Sequence, residues 1–435
     1  MRRRSASPIF QFAIASAVCI CAGYAEAADL SGDCCADLDE RIAELEATAA
    51  RKGTRKVKLT MSGYVAQEIT GWDDGGKSNV YLHGLGPTQA THIKFNGEAT
   101  ISPGWTAGYM MRIQNLDDNP FGRSGTAAIT QDRSAFSQGL NVQMSYWYLQ
   151  SKALGTVSVG RQAPAAKSAA MFTDQSGTQI IDNYTFLDGF PQFIIRSGGD
   201  LSPAALTWGQ LAFCYSQSVP LGGDCDGLVM NAVRYDTPVI AGFSASASWG
   251  EDDDWQVAAR YAGEFSGFKV LLGIGYSGST DERLAVALPN LIAKDSSYFQ
   301  AGGYAEHLAT GLFLHGAYGY EDNSGTLLAG DATPPDGEHW YVKVGIRRKW
   351  TPLGATVVYG DYGQYIDQIG PSALALGVRS SEIDLFGGGV VQELDSASMS
   401  LWLKYRNQSA NISGASGVGP LDDFRALSTG ALIRF

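Results

Sequence analysis

The sequence predicts an all-β protein, a transmembrane β-barrel of 16 antiparallel strands, and three observations lead to this prediction. Charged residues make up only 17% of the 435-residue chain, whereas a soluble domain usually carries about 25%. No stretch after residue 27 offers the roughly 18 consecutive apolar residues that a membrane-spanning helix needs. From Val57 onward apolar and polar residues alternate, as they must along strands that have one face on lipid and the other on a lumen.

The strand count follows from connections that alternate in length along the chain. Seven tight turns lie near 102–104, 152–155, 237–242, 264–267, 308–311, 351–354 and 393–397. Eight polar loops lie near 70–91, 115–140, 163–228, 251–254, 277–296, 321–337, 363–380 and 407–424. These connections separate 16 strands. Lipid cannot hydrogen-bond a free sheet edge, so the strands must close on themselves, and a barrel of this size leaves an aqueous channel.

Both ends of the chain carry patterns of an exported protein. Three arginines at 2–4 precede a short apolar stretch at 9–21, and the small-x-small motif at 25–27 is a cleavage site. We therefore expect residues 1–27 to be removed as a signal peptide. The other end steps through alternating apolar residues to a terminal Phe435. This ending resembles the C-terminal assembly signal of bacterial outer-membrane barrels.

A separate helical segment is expected between the signal peptide and the barrel, over residues 28–55. Leu38, Ile42, Leu45 and Ala49 follow the spacing of a heptad seam. Two heptads are too short to be stable alone in water. The segment is therefore either a short periplasmic coiled coil, made viable by a trimer that tethers three copies, or a solvated amphipathic linker. The barrel itself is expected over 56–435.

Aromatic residues near the predicted strand ends fit the girdles that mark the two membrane interfaces. The residues expected there are Trp105, Tyr146, Tyr148, Trp249, Trp255, Tyr276, Trp340 and Tyr359.

Several segments resemble the general porins of alphaproteobacteria, of the rhizobial and Brucella type. They are CCADLDERIAELE at 34–46, KVKLTMSGY at 56–64 and VRYDTP at 233–238. The resemblance implies a homotrimer in the outer membrane of a Gram-negative cell, surrounded by lipid and lipopolysaccharide. It also implies that one loop folds into each barrel and that small hydrophilic solutes and ions diffuse through passively, with no cofactor and no catalysis.

The longest connection, at 163–228, is the third long loop and the expected constriction loop. Selectivity in a wide pore depends on ionisable side chains at its narrowest point. The carboxylates expected on the loop side are Asp174, Asp182 and Asp188. The bases expected on the opposite wall, from alternation along the first three strands and the end of the fifth, are Lys58, Lys94, Arg112 and Arg161. Opposed acids and bases would set a transverse field; the alternative is that they are ordinary solvated charges.

The cysteines predict a disulfide and no metal site. Cys214 and Cys225 lie in the constriction loop, and an exported chain meets an oxidising compartment, so we expect them to be bonded. Cys34 and Cys35 either bridge between chains or bind nothing. The four cysteines lack a zinc spacing. The acidic run at 251–254 could bind Ca²⁺ or Mg²⁺, but a solvated loop tip is the simpler interpretation.

Composition and motifs exclude other classes of function. The formal charge of −12 argues against nucleic acid as a partner. The glycine pattern at 273–278 formally matches a dinucleotide fingerprint, but it lies inside an alternating strand and no helix follows it. We therefore expect no enzyme. Two alternatives to a general diffusion pore stay open: a channel specific for a sugar, phosphate or carboxylate, in which Trp402, Tyr304 and Tyr341 would face the lumen, and a plugged barrel that acts as an adhesin or anchor.

Overall fold

The computed structural model describes residues 56–86, 89–115, 139–182, 190–203, 205–281, 291–328, 333–415 and 417–435. The expected signal peptide (1–27), the helical segment (28–55) with Cys34 and Cys35, and Asp188 lie outside the described residues. Among the described residues no helix is long and apolar enough to cross a membrane.

The described residues form 20 strands, of which 16 build one closed antiparallel barrel; β2, β7, β8 and β15 are short loop strands. The strands are β1 (Lys58–Asp73), β2 (Ser78–His83), β3 (His92–Ser102), β4 (Trp105–Asn115), β5 (Leu140–Ser151), β6 (Gly155–Gln162), β7 (Arg196–Ser197), β8 (Asp200–Leu201), β9 (Met230–Asp236), β10 (Phe243–Gly250), β11 (Trp255–Phe265), β12 (Phe268–Asp281), β13 (Leu291–His307), β14 (Leu312–Asp322), β15 (Leu327–Leu328), β16 (Gly337–Thr351), β17 (Gly354–Ile366), β18 (Ser380–Leu394), β19 (Met399–Ser413) and β20 (Phe424–Arg434). One short helix, α1 (Pro371–Ala375), lies in a loop.

The barrel closes through β1, which pairs with β20 over residues 64–73 and with β3 over residues 58–64. Each barrel strand therefore has an antiparallel neighbour on both sides. This satisfies the backbone groups that lipid would leave unpaired. The predicted fold class and strand number are confirmed.

Alternation places apolar side chains on the outer face of the wall. Along β16, Val342 and Val344 are exposed on the outside, whereas Tyr341 and Lys343 between them are buried inside. The same rule holds in β12, where Leu272 is half exposed on the outer face. The outer surface is thus the face that contacts acyl chains.

The girdle prediction needs a correction at three positions. Trp105, Trp249, Trp255, Tyr276 and Trp340 face outward, in register with other exposed outer residues. Tyr146, Tyr148 and Tyr359 face the lumen instead. The physical reason is the strict two-residue period of a strand: in the run Tyr146–Trp147–Tyr148 only Trp147 can point to lipid when its neighbours point inward.

The third loop, residues 163–229, folds into the barrel between β6 and β9. It contains the short hairpin β7–β8 and the disulfide between Cys214 and Cys225, whose S–S distance is 2.03 Å. The disulfide prediction is confirmed. Both cysteines are fully buried. The bond closes the segment between them, so less of the loop has to be fixed by packing against the wall.

The described part of the third loop packs against one side of the barrel. Near the end of the barrel with the long loops, Phe193, Ile195 and Trp208 of the loop contact Trp72 and Phe424 of the wall. All of these side chains are buried. This apolar cluster fills the lumen beside β1 and β17–β20, so any open passage must run along the opposite wall.

The outer face provides the first test of the fold. Leu272 lies midway along β12, between the exposed aromatic residues Phe268 and Tyr276. We expect Leu272→Arg to destabilise the folded barrel by about 2–4 kcal/mol, the cost of an arginine on the lipid face near the bilayer midplane. Thr106→Arg, on the inner face of β4, is the control and should cost far less. Urea unfolding from lipid vesicles, followed by tryptophan fluorescence, measures both; equal costs would contradict the assignment of faces.

Candidate functional site

The first half of the third loop is tied to the wall through one buried lysine. Nζ of Lys343, in β16, donates to Oδ2 of Asp174 at 2.8 Å, to Oγ1 of Thr178 at 2.7 Å and to the carbonyl oxygen of Asp182 at 2.7 Å. Lys343 is 0% exposed. All three protons of the ammonium group are therefore used to fix the position of this loop segment.

A second attachment lies at Asp182. One carboxylate oxygen accepts a hydrogen bond from the Tyr359 hydroxyl at 2.7 Å, and the other forms an ion pair with Arg406. Lys404 donates to the carbonyl oxygen of Ile181 at 2.8 Å. Strands β16, β17 and β19 thus hold the loop from Asp174 to Asp182 against one wall.

Charge compensation decides the ionisation of these two aspartates. Burial alone would raise the pKa of Asp174, but Lys343 together with His315 and Ser176 lowers the pKa to about 2. Burial also acts to raise the pKa of Asp182, and Arg406, Lys404 and Lys343 reverse the shift to a lowered pKa. A lowered pKa in the folded state means that the contribution is complete above the ordinary aspartate pKa and is lost as pH falls through the lowered value. Both attachments therefore hold at neutral pH.

The segment at 165–170 explains the glycine pattern that superficially resembles a dinucleotide motif. A Cβ atom on Gly273 would lie 2.2 Å from the carbonyl oxygen of Ala169, and one on Gly302 would lie 2.5 Å from that of Ala170. Only glycine permits this approach of backbone to backbone. Gln300 of β13 fixes the contact by accepting from the Ala170 amide at 2.9 Å. The glycines of β12 and β13 are the seat of the third loop.

The second half of the loop buries two carboxylates near Lys167, and here burial outweighs the attraction of the cation. Burial raises the pKa of Asp224 and raises that of Asp226 well above the ordinary value. Asp226 accepts from the Ser277 hydroxyl at 2.7 Å and from Nε2 of Gln300 at 3.1 Å. Across the part of the chain that the structure describes, no group of three or more His, Cys, Asp or Glu is arranged to hold a metal ion.

The expected acidic side of the constriction is therefore placed differently from the sequence-based expectation. Asp174 and Asp182 lie on the loop that folds into the barrel, but they are 3% and 1% exposed and point at the wall behind the loop. Their partners, Lys343 and Arg406, come from strands far along the chain. Alternation along β16 and β19 puts both bases on the lumen face, but it cannot pair them with particular loop residues.

Two of the expected bases lie together on the open wall. Lys94 of β3 and Arg112 of β4 are directly opposite each other in the strand register, both on the inner face. Nε and Nη2 of Arg112 have no hydrogen-bond partner among the described residues. Lys58 lies nearer the end of the barrel with the tight turns, opposite Glu98 in the register.

Arg161 lies elsewhere. It pairs with Ser145 of β5 and Asn231 of β9, in the rows next to the outward-facing Trp147 and Val233. Its side chain is therefore on the outer face of the barrel, near the end with the long loops. The position at the end of a strand did not reveal the face, since a one-residue shift moves a side chain from one face to the other.

The open side of the lumen contains a cavity of about 420 Å³ between β3, β4, β5, β6 and β9. Its charged lining residues are Glu98, Arg234 and Asp236, and its bulky ones include Met110, Met144, Tyr146 and Tyr148. By contrast Trp402, Tyr304 and Tyr341, the lumen aromatics expected from alternation, are buried on the opposite side. Nε1 of Trp402, for example, donates to Glu68 at 2.9 Å.

Residues 13–412 match the model of the Gram-negative porin family. The chain belongs to the Gram-negative porin family. It is an outer-membrane protein that forms a diffusion channel. No curated protein sequence matches it significantly.

Solved structures agree with this porin in fold. A loop-deletion variant of OmpT, an outer membrane protein of Vibrio cholerae, is 11% identical with a TM-score of 0.51, over 87% of this chain and 100% of that chain. OmpF of Salmonella typhi, solved in a complex with daunomycin, is 15% identical with a TM-score of 0.50, over 87% of this chain and 98% of that chain. At these identities the likeness concerns the fold alone.

The attachment of the loop can be tested at Lys343. Lys343→Met leaves the Asp174 carboxylate buried without its cation, which typically costs about 3–5 kcal/mol. We expect the loop to detach locally and trypsin to cut at Lys167 and Arg196, which both lie within it.

The double variant Lys343→Met/Asp174→Leu removes both charges and should restore resistance, because an apolar pair of similar volume replaces a buried ion pair at little cost. The measurement is the rate of tryptic cleavage in detergent at neutral pH. Wild-type resistance of the single variant would show that the ion pair does not hold the loop.

Proposed function

We propose that this porin conducts small hydrophilic solutes and ions through one off-centre passage between the third loop and the wall of β3–β6 and β9. The observation that carries the proposal is the one-sided packing of the loop. Its apolar cluster and its two charged attachments all lie toward β1 and β12–β20, whereas the cavity of about 420 Å³ lies on the opposite wall.

In this proposal Asp174 and Asp182 hold the loop in place, and the pore charge comes from Lys94 and Arg112. Both bases lie on the inner face of the same wall, and Nε and Nη2 of Arg112 are buried without a hydrogen-bond partner among the described residues. Lys58, toward the end with the tight turns, lies opposite Glu98, so the two charges offset each other. Asp188, outside the described residues, is kept as a candidate for an acidic side. The field at the passage wall is then positive, which favours anions.

The proposal includes no catalytic step. The lumen offers packed ion pairs and a solute path, and the residues that resemble an enzyme motif, at 273–278, are occupied in seating the loop. In this proposal the protein acts only by letting solutes and ions pass through the barrel.

We also propose a homotrimer of the alphaproteobacterial type, with residues 28–55 as a periplasmic coil. Its supports are the segments at 34–46 and 56–64, the heptad spacing from Leu38 to Ala49, and the polar outer face at Arg161, Ser145 and Asn231. Such polar groups on the outer face fit contact with a neighbouring protomer, or with lipopolysaccharide headgroups.

Planar-bilayer recording tests the pore itself. A diffusion pore gives large open steps that scale with the bulk conductivity of the salt, and a trimer gives them in groups of three. Steps that saturate with salt would favour a specific channel. No steps from correctly folded protein would mean a plugged barrel and would overturn the proposal.

The selectivity of the passage is tested at Arg112. We expect Arg112→Glu to shift the reversal potential in a salt gradient toward cation preference, because it replaces an unpaired positive charge on the passage wall by a negative one. The shift should be large near 0.1 M salt, where the Debye length is about 10 Å, and should shrink near 1 M, where it is about 3 Å. Lys269→Glu, on the inner face of β12, is the control of equal charge change. Equal shifts in both variants would place the selective charge elsewhere.

A further inference from the structure

We propose that the passage contains a binding subsite for small aromatic monocarboxylates. The ring would lie against Tyr146 and Tyr148, and the carboxylate would bind at Arg112 and Lys94. The inference rests on the proposed pore and goes beyond it, because a pore for unselected solutes needs neither a pair of aromatic rings nor unpaired cations at one place on its wall.

The apolar part of the subsite comes from four side chains on β4 and β5. Tyr146 and Tyr148 lie on the same face of β5, with ring centroids 6.4 Å apart and planes inclined by 51°. Met110 is directly opposite Tyr146 in the register, and Met144 is directly opposite Arg112. All four side chains line the cavity of about 420 Å³, and Arg112 lies just beyond it. This volume is within the range typical of ligand pockets, about 300–1,000 Å³.

Two angled tyrosine rings and two thioethers are suited to an aromatic guest. A ring packed on a tyrosine gains about 0.5–1.5 kcal/mol beyond the burial of its area, and sulfur adds a favourable contact at a ring edge. The hydroxyl of Tyr148 donates to Oε1 of Glu98 at 2.7 Å, which fixes this ring in place. A sugar or an inorganic anion would gain little from these surfaces.

The charge of the guest follows from which ionic groups are already paired. Glu98 accepts from Tyr148 and lies opposite the cation Lys58 in the register, and both carboxylate oxygens of Asp236 accept from Arg234 at 2.6–3.1 Å. Lys94 and Arg112, by contrast, face each other as like charges across β3 and β4. Like charges directly opposite are destabilising. A carboxylate placed beside this pair would supply the missing counter-charge and relieve the repulsion.

The register sets the distance between the two parts. Arg112 and Met110 are alternate residues on one face of β4, so their rows are separated by about 7 Å. A carboxylate joined directly to a ring, with one hydrogen bond of about 2.8 Å to the guanidinium, spans this separation. The geometry therefore selects an acid group attached at the ring or through a very short linker.

Single-channel recording at about 0.1 M salt tests the subsite with four probes: benzoate, acetate, benzyl alcohol and benzylamine. We expect benzoate alone to interrupt the open current in a concentration-dependent way that saturates. The double variant Tyr146→Leu/Tyr148→Leu and the single variant Arg112→Gln should each raise the half-blocking concentration of benzoate at least tenfold. Lys269→Gln, with the same loss of charge on the far wall, should leave it unchanged.

The outcomes separate this inference from the pore itself. Open steps in the variants report that they have folded. Open steps without block by benzoate would overturn the subsite and leave the pore standing. Equal block by acetate would show that the site binds any small anion. Equal block by benzyl alcohol would show that the cations play no role in binding. Either result overturns the inference. Absence of steps from folded wild-type protein would instead overturn the proposed function.

Discussion

Every backbone amide in the lipid-embedded part of this chain has to find its partner within the protein, because hydrocarbon offers none. The pairing of β1 with β20 on one side and β3 on the other is the contact that removes the last free edge. Once the sheet is closed, the two-residue period of each strand fixes which side chains meet lipid and which enter the lumen. The burial of Lys343 beside the exposed Val344 is a direct consequence.

A closed barrel of 16 strands encloses more space than its own inward side chains fill, and the third loop occupies part of it. Its two charged attachments carry a desolvation cost, so their net contribution to stability is small. Their effect is positional: the carboxylates of Asp174 and Asp182 can ionise only where Lys343 and Arg406 lie. Glycines at 273 and 302 allow the same loop to approach the wall at backbone distance. The charged attachments and the close backbone packing thus hold the loop on the same side of the lumen, and the proposed passage lies on the other side.

The sequence was sufficient for the fold because the relevant signals are local. Alternation, turn length and loop length are each readable within a few residues, and they predicted the strand number. The disulfide between Cys214 and Cys225 was also predictable, because only these two cysteines share a loop. The face of a side chain was predictable only where its neighbours differ in polarity. In Tyr146–Trp147–Tyr148 all three residues are aromatic, so the pattern could not show that two of them line the lumen. The face of Arg161 was mispredicted for a related reason: its neighbours in β6 are Gly160 and Gln162, and neither is an apolar residue that would mark the lipid face. The partners of Asp174 and Asp182 could not be predicted, because the pairing joins residues 169 and 224 positions apart.

The placement of the two aspartates changes the electrostatics of the passage. Acids facing bases across a pore would produce a field between two walls, with little net preference for either sign. Here Asp174 and Asp182 are neutralised on the far side by Lys343 and Arg406, and their charges do not balance Lys94 and Arg112. Two like charges without a counter-ion destabilise the folded barrel. A ligand that supplies the missing counter-charge can therefore bind to them. The tyrosine pair beside it gives that ligand an apolar part. The two like charges that destabilise this part of the wall are therefore the groups that would bind a passing aromatic acid.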